Sequence, residues 1–140
     1  MSEPTTVPED FPWPDDDIVD HGIHAGIPWV ARRVPDREWA GSPVNGYIKV
    51  PDGHPWALAD DYVETGVPWG GITYGSGASG WIGFDTMHAG QWWPESVLPR
   101  SPWFGGMETE MSDDLAVAWT QLFAANAALA MHGHTFGDAA

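Results

Sequence analysis

Apolar positions along this chain follow three regimes. Towards the C-terminus they recur at helical spacing. In the first two thirds they come as short β-rich runs, and between these runs proline, glycine and tryptophan break any period. The helical regime is the plainest. Ser112 suits an N-cap, Asp113 and Asp114 fall in a first turn whose dipole favours acids, and Gly133 follows as a stop. Leu115, Trp119, Leu122 and Leu129 fall on or near one stripe, which predicts a core-facing surface. About nineteen residues would span roughly 28 Å at 1.5 Å per residue. Alanines at 116, 118, 124, 125, 127, 128 and 130 permit close approach to a sheet, and Asn126, which interrupts the stripe, is expected at a capped or edge position rather than a buried one.

The β-rich runs are shorter. Ile27 to Val34 reads as a strand with Pro28 at its start or on an edge. Tyr47-Ile48-Lys49-Val50 is bracketed by the turn chemistry of Asn45-Gly46 and Pro51-Asp52-Gly53. The runs 67–75 and 80–85 are expected to pair antiparallel through the small-residue loop Ser76 to Gly80, with Gly70-Gly71 marking a bulge or a close backbone approach. A short helical turn is expected within 57–63, and a long aromatic, proline-rich loop from Trp92 to Gly106. Ile18 to His24 contains His21 and His24, which could share a metal on a helix, but Gly22 and Gly26 argue against that helix. The expected fold is α+β and loop-rich: a small antiparallel sheet of about four strands packed by one long C-terminal helix. It forms a single domain over residues 18–140.

Residues 1–17 read differently. Pro4, Pro8, Pro12 and Pro14 alternate with six acidic residues, the composition of an extended arm. Phe11 and Trp13 sit within it. Exposing both would be costly, so they either fold back onto the domain, the favoured reading, or dock into a partner.

Composition changes this picture in a few places. Ten tryptophans among 140 residues, with seventeen glycines and thirteen prolines, argue for a folded but loop-rich chain rather than a disordered one. Pro-Trp occurs at 12–13, 28–29, 55–56, 68–69 and 102–103, too irregularly for a repeat. Five basic against twenty acidic residues give a formal net charge of −15, which repels phosphate backbones and excludes direct nucleic-acid binding. Only Arg32, Arg33 and Arg37 could form a local basic patch. The acidity serves solubility, or it imitates nucleic acid toward a basic partner. The absence of cysteine excludes disulfides, thiol nucleophiles and zinc–thiolate sites. No apolar run is long enough to cross a bilayer and the N-terminus lacks a signal pattern, so a cytoplasmic protein is expected.

Candidate chemistry concentrates between residues 54 and 92. Asp85 and His88 fall just past a strand, where a carboxylate can orient an imidazole and raise its pKa, and His54 is the most attractive third member. The plain alternative is a structural hydrogen-bond pair. No nucleophile elbow, phosphate loop or dinucleotide fingerprint is present, and His132 and His134 suggest adventitious metal binding at most. No cofactor is implied.

The motifs Gly46-Tyr47-Ile48-Lys49-Val50-Pro51, Gly53-His54-Pro55-Trp56, Gly70-Gly71-Ile72-Thr73-Tyr74 and Trp81-Ile82-Gly83-Phe84-Asp85-Thr86-Met87-His88-Ala89-Gly90 carry a resemblance. Over residues 45–91 the chain resembles a group of small uncharacterised proteins encoded by bacteriophages, actinobacterial ones among them, and by some bacterial genomes. That group has a His-Gly-Gly-x-Thr run followed by Gly-Phe-Asp-x-x-His-Ala-Gly-Asp. Trp69 stands where the pattern has histidine and Gln91 where it has aspartate. The resemblance implies a phage accessory context and no activity.

The leading expectation is therefore a non-enzymatic phage-type accessory protein, of host-interaction or anti-defence kind. It would bind a host or defence protein, or sequester a small ligand, through a Trp-rich acidic surface built from His54, Trp56, Trp69, Gly70, Gly71, Thr73, Tyr74, Asp85, His88 and Trp92. One alternative is a metal-assisted hydrolase using His54, Asp85 and His88. The other is an acidic nucleic-acid mimic inhibiting a basic host enzyme, with Asp15, Asp16 and Asp17 contributing charge. Oligomeric state is not legible at this level.

Overall fold

The computed structural model describes residues 7–35, 37–57, 64–68, 72–75, 80–87, 91–97 and 109–133. These form β1 (Ile18–His24), β2 (Ile27–Arg33), β3 (Val44–Lys49), β4 (Tyr74–Gly75), β5 (Trp81–Phe84), β6 (Gln91–Trp92), β7 (Thr109–Glu110) and a C-terminal helix, α1 (Asp113–Ala130). β1 to β5 make one antiparallel sheet in the order β1-β2-β3-β5-β4, and β6 and β7 pair in parallel apart from it. The architecture is α+β, a small sheet packed by one helix, with one strand more in the main sheet than the sequence suggests. No helix among the described residues is long and apolar enough to cross a membrane.

The extra strand is β1. Ala25 and Gly26 both adopt positive φ, 49° and 83°, the two-residue hairpin geometry that joins strands with matched twist. Alanine gives no sequence signal for that turn. The consequence for His21 and His24 is direct: three residues apart on a strand they point to opposite faces, so they cannot share a metal. The run 67–75 contributes less strand than expected. Among the described residues of that run, only Tyr74 and Gly75 pair with β5, extended by a bond from the Thr73 N–H to the Gly83 carbonyl.

The sheet has two covered faces. On one, Trp29, Ala31, Val44, Ile48, Ile82 and Phe84 meet the helix. The helix is capped by Ser112, whose hydroxyl accepts from the Leu115 N–H. Its buried face differs from the expected stripe. Ala116, Trp119, Thr120, Phe123, Ala124, Ala127 and Ala130 are buried, whereas Leu122 and Leu129 are exposed. The physical reason is volume: the sheet and its loops supply many of the large side chains, among them Trp29, Trp56, Trp93 and Phe84, so apart from Trp119 and Phe123 the buried face of the helix is built from small ones. Gly46 marks the closest approach, since a Cβ there would fall on the Phe84 ring and the Thr120 hydroxyl. Asn126 is buried rather than at an edge, because its Nδ2 donates to the Thr65 carbonyl at 2.8 Å and so satisfies a loop that runs under the helix.

The other face carries Val30, Tyr47 and Trp81, and the N-terminal arm covers it. Phe11 turns inward through a bond from its N–H to the Pro8 carbonyl and is 7% exposed. Its ring meets Trp81, Trp13 and Tyr47 edge-on with centroids 4.9, 5.5 and 5.7 Å away. Asp10 pairs with Lys49 and accepts from the Trp81 indole at 3.3 Å. Of the two readings of Phe11 and Trp13, the structure has the fold-back one.

Candidate functional site

Three of the sequence-selected site residues turn out to be held by the fold. His54 and Trp56 lie in the core on the helix face. The His54 Nε2–H donates to the Ala127 carbonyl at 2.8 Å, and its Nδ1 accepts from the Trp56 N–H at 2.9 Å. Both ring nitrogens are therefore spoken for in the neutral form, and burial pushes the imidazole pKa down while the Ala127 contact works against that. Trp56 stacks on Phe123 at 5.6 Å. Trp92 is half-buried in β6, where its carbonyl accepts from the Met111 N–H.

Asp85 sits at the opposite end of the sheet from His54. Phe84 pairs with Gly46, so Asp85 falls beside Asn45, at the start of β3, and one of its oxygens accepts from the Met87 N–H at 3.2 Å. His54 lies past the other end of β3. The five residue steps from Asn45 to Val50 alone span roughly 17 Å at strand rise. His54 and Asp85 therefore do not share a pocket. The neighbouring Thr86 is structural: its hydroxyl donates to the Val44 carbonyl at 2.8 Å, and its own carbonyl accepts from the Trp93 indole at 2.9 Å. No group of three or more His, Asp or Glu side chains converges as a metal site among the described residues. Trp69, Gly70, Gly71 and His88 lie outside the described residues. Thr73 is exposed.

Tyr74 leads elsewhere, to the arm face. Its ring lies 4.9 Å from Trp13 and 5.7 Å from Tyr47. Beneath Trp13, at 4.3 Å from the ring centroid, lies the guanidinium of Arg32. Arg32 is 6% exposed, and the acid nearest it, Asp17, is 3.7 Å from its Nη2. Its Nε is buried with no hydrogen-bond partner among the described residues, and the same holds for His21 Nδ1. The two residues share one face of the sheet. His21 pairs with Val30, and Arg32 is two residues further along β2 on the same face, a diagonal neighbour at roughly 7–8 Å between backbones. Tyr47, opposite Val30, completes the cluster. Burial pushes its phenol pKa up, with Asn45 and Arg32 pulling the other way, so the hydroxyl keeps its proton.

A buried cation with an unsatisfied N–H is costly, and native structures leave few such groups without water, ion or ligand. The site offers N–H donors at its floor and aromatic faces at its half-exposed rim, formed by Trp13 and Tyr74. An oxyanion suits the first and a planar apolar group the second. The sequence offers Arg32 only for a local basic patch and His21 only for a metal shared with His24, and it does not bring them together with Tyr47, because the face of each strand is ambiguous. The available signal was an arginine at an inward position of an otherwise apolar run, with two aromatics in an acidic arm. Comparison of the chain with protein-family models, with curated proteins and with solved structures finds no match.

Proposed function

We propose that this chain is a non-enzymatic accessory protein of the phage type that sequesters a small planar anion on the arm face of its sheet. The observation that carries the reading is the pair of buried, unpartnered nitrogens, Arg32 Nε and His21 Nδ1, on one sheet face, with the Arg32 guanidinium beneath Trp13. Arg32 would anchor the oxyanion, His21 and the Tyr47 hydroxyl would add donors, and Trp13 and Tyr74 would stack on the planar part. The acidic surroundings make the site selective rather than generally attractive to anions, because bulky polyanions are repelled by the net charge of −15 before they reach it. Asp17, 3.7 Å from the Arg32 Nη2, lies too far for a good ion pair.

The hydrolase built on His54, Asp85 and His88 has less support, since both nitrogens of His54 hold backbone groups and Asp85 lies at the far end of the sheet. The mimic reading also loses support in the arm, where Asp10 and Asp17 turn onto the chain's own Lys49 and Arg32.

Native mass spectrometry of the protein purified from a bacterial cytoplasm tests the reading. A bound organic anion that is lost in Arg32→Met supports it. A bare chain that also gains no thermal stability from benzoate, phenyl phosphate or inorganic phosphate contradicts it.

A further inference from the structure

Helix α1 carries a second stripe that the core does not use. Leu115, Ala118, Leu122, Ala125 and Leu129 recur at alternating intervals of three and four, the spacing of a coiled-coil seam. Leu115 is half-buried against its own core, but Ala118 is exposed, Leu122 is 38% exposed and Leu129 is 47% exposed. From Leu115 to Ala130 the helix has no charged residue at all, in a chain with twenty acidic side chains. Surface helices ordinarily turn charged side chains to solvent. An uncharged outer stripe on so acidic a protein is the mark of a face that is covered. Beside it, between α1 and the edge strand β1, opens a groove of about 550 Å³ lined by Gly22, Trp29, Leu122 and Ala125 and by Ile23, itself 57% exposed.

We infer that this stripe is the interface of a homodimer, α1 packing antiparallel against α1 of a second copy about a two-fold axis that crosses the stripe midway between Leu122 and Ala125. Three observations choose that occupant. First, the stripe is self-complementary: in this register Leu122 meets Ala125 of the second copy and Ala118 meets its Leu129, large against small in these layers, as an isologous contact requires. Second, two chains of charge −15 can approach closely only through neutral surface, and this is such a surface, whereas a basic partner would be drawn to an acidic one. Third, the antiparallel arrangement opposes the two helix dipoles and brings Asp114 beside the exposed His132 of the second copy, opposite partial charges at both ends. The groove at β1 receives the flank of the incoming helix. This inference stands on the helix and is independent of the anion site.

Sedimentation or light scattering on the full chain at 10 to 100 µM tests it. The expected mass is twice the 15.2 kDa of one chain. Leu122→Lys, at an exposed position, should return the mass to one chain with unchanged far-ultraviolet dichroism. The chain has no native cysteine, so engineered pairs report orientation cleanly. A mixture of Ala118→Cys and Leu129→Cys chains should cross-link on oxidation, whereas Leu129→Cys alone should not, because the two copies of residue 129 would lie roughly 16 Å apart along the helices. A monomeric wild type, a dimer unaffected by Leu122→Lys, or efficient cross-linking of Leu129→Cys alone would each overturn the inference.

Discussion

Replacing Phe11 by alanine asks whether the N-terminal arm is part of the fold or an ornament on it. The ring is 7% exposed and makes three edge-on contacts, with Trp81, Trp13 and Tyr47. Removing a buried phenylalanine ring costs about 3–5 kcal/mol where the surroundings cannot relax. The arm can relax more than a strand can, so about 2–3 kcal/mol is the working figure, consistent with a transfer cost of about 1.5–3 kcal/mol for the side chain alone. At about 3–4 °C per kcal/mol for a chain of this size, Tm should fall by about 6–12 °C. The same change should strip the cover from Trp81, which is wholly buried, and from Tyr47. Differential scanning calorimetry gives the first quantity. Trp emission moving to the red, with faster proteolytic cleavage in the arm, reports the second. A Tm within about 2 °C of wild type, with unchanged emission and cleavage, would refute the claim that the arm completes the second core.

Three further outcomes follow from the packing. Gly46→Ala should lower stability by about 1–3 kcal/mol in chemical denaturation, because its Cβ has no space between the Phe84 ring and Thr120; an unchanged midpoint would contradict the helix–sheet distance. Asn126→Leu should cost about 1–3 kcal/mol by removing the buried hydrogen bond to the Thr65 carbonyl, read as a lowered Tm, and a neutral result would contradict a structural role for that bond. His54 should titrate below the ordinary histidine value of about 6.5 in a two-dimensional NMR pH series. The unfolded chain then takes up the proton first, so His54's contribution to stability is full above about pH 6.5 and is lost as pH falls from there towards the folded pKa. A folded-state midpoint at or above 6.5 would contradict the neutral double hydrogen bond.

The sequence made the architecture legible where local chemistry and burial agree. Ser112, Asp113 and Asp114 mark the helix start because capping is local, and the runs around Ile27 and Tyr47 are strands because their turn residues bracket them. The helix face differs from the expected stripe because leucine is the usual core residue, while here tryptophans from the sheet and loops, with Trp119 and Phe123 of the helix, fill the volume and leave alanine at most of the remaining buried positions. β1 escaped notice because its hairpin turn places Ala25 at positive φ, a conformation that alanine does not announce. Of the selected site residues, His54 and Trp56 were drawn to attention by their chemistry, but chemistry alone cannot distinguish a ligand-facing histidine from one that ties a loop to a helix. Arg32 and His21 became a pair only through strand register, a long-range property.

The account rests most heavily on the arm face as a ligand site, and calorimetric titration of benzoate and phenyl phosphate into the intact chain tests it most directly. Saturable binding is expected, with at least a tenfold loss in Arg32→Met and a matching shift of the His21 ring resonances. No heat at millimolar ligand, or equal binding by wild type and Arg32→Met, would contradict it.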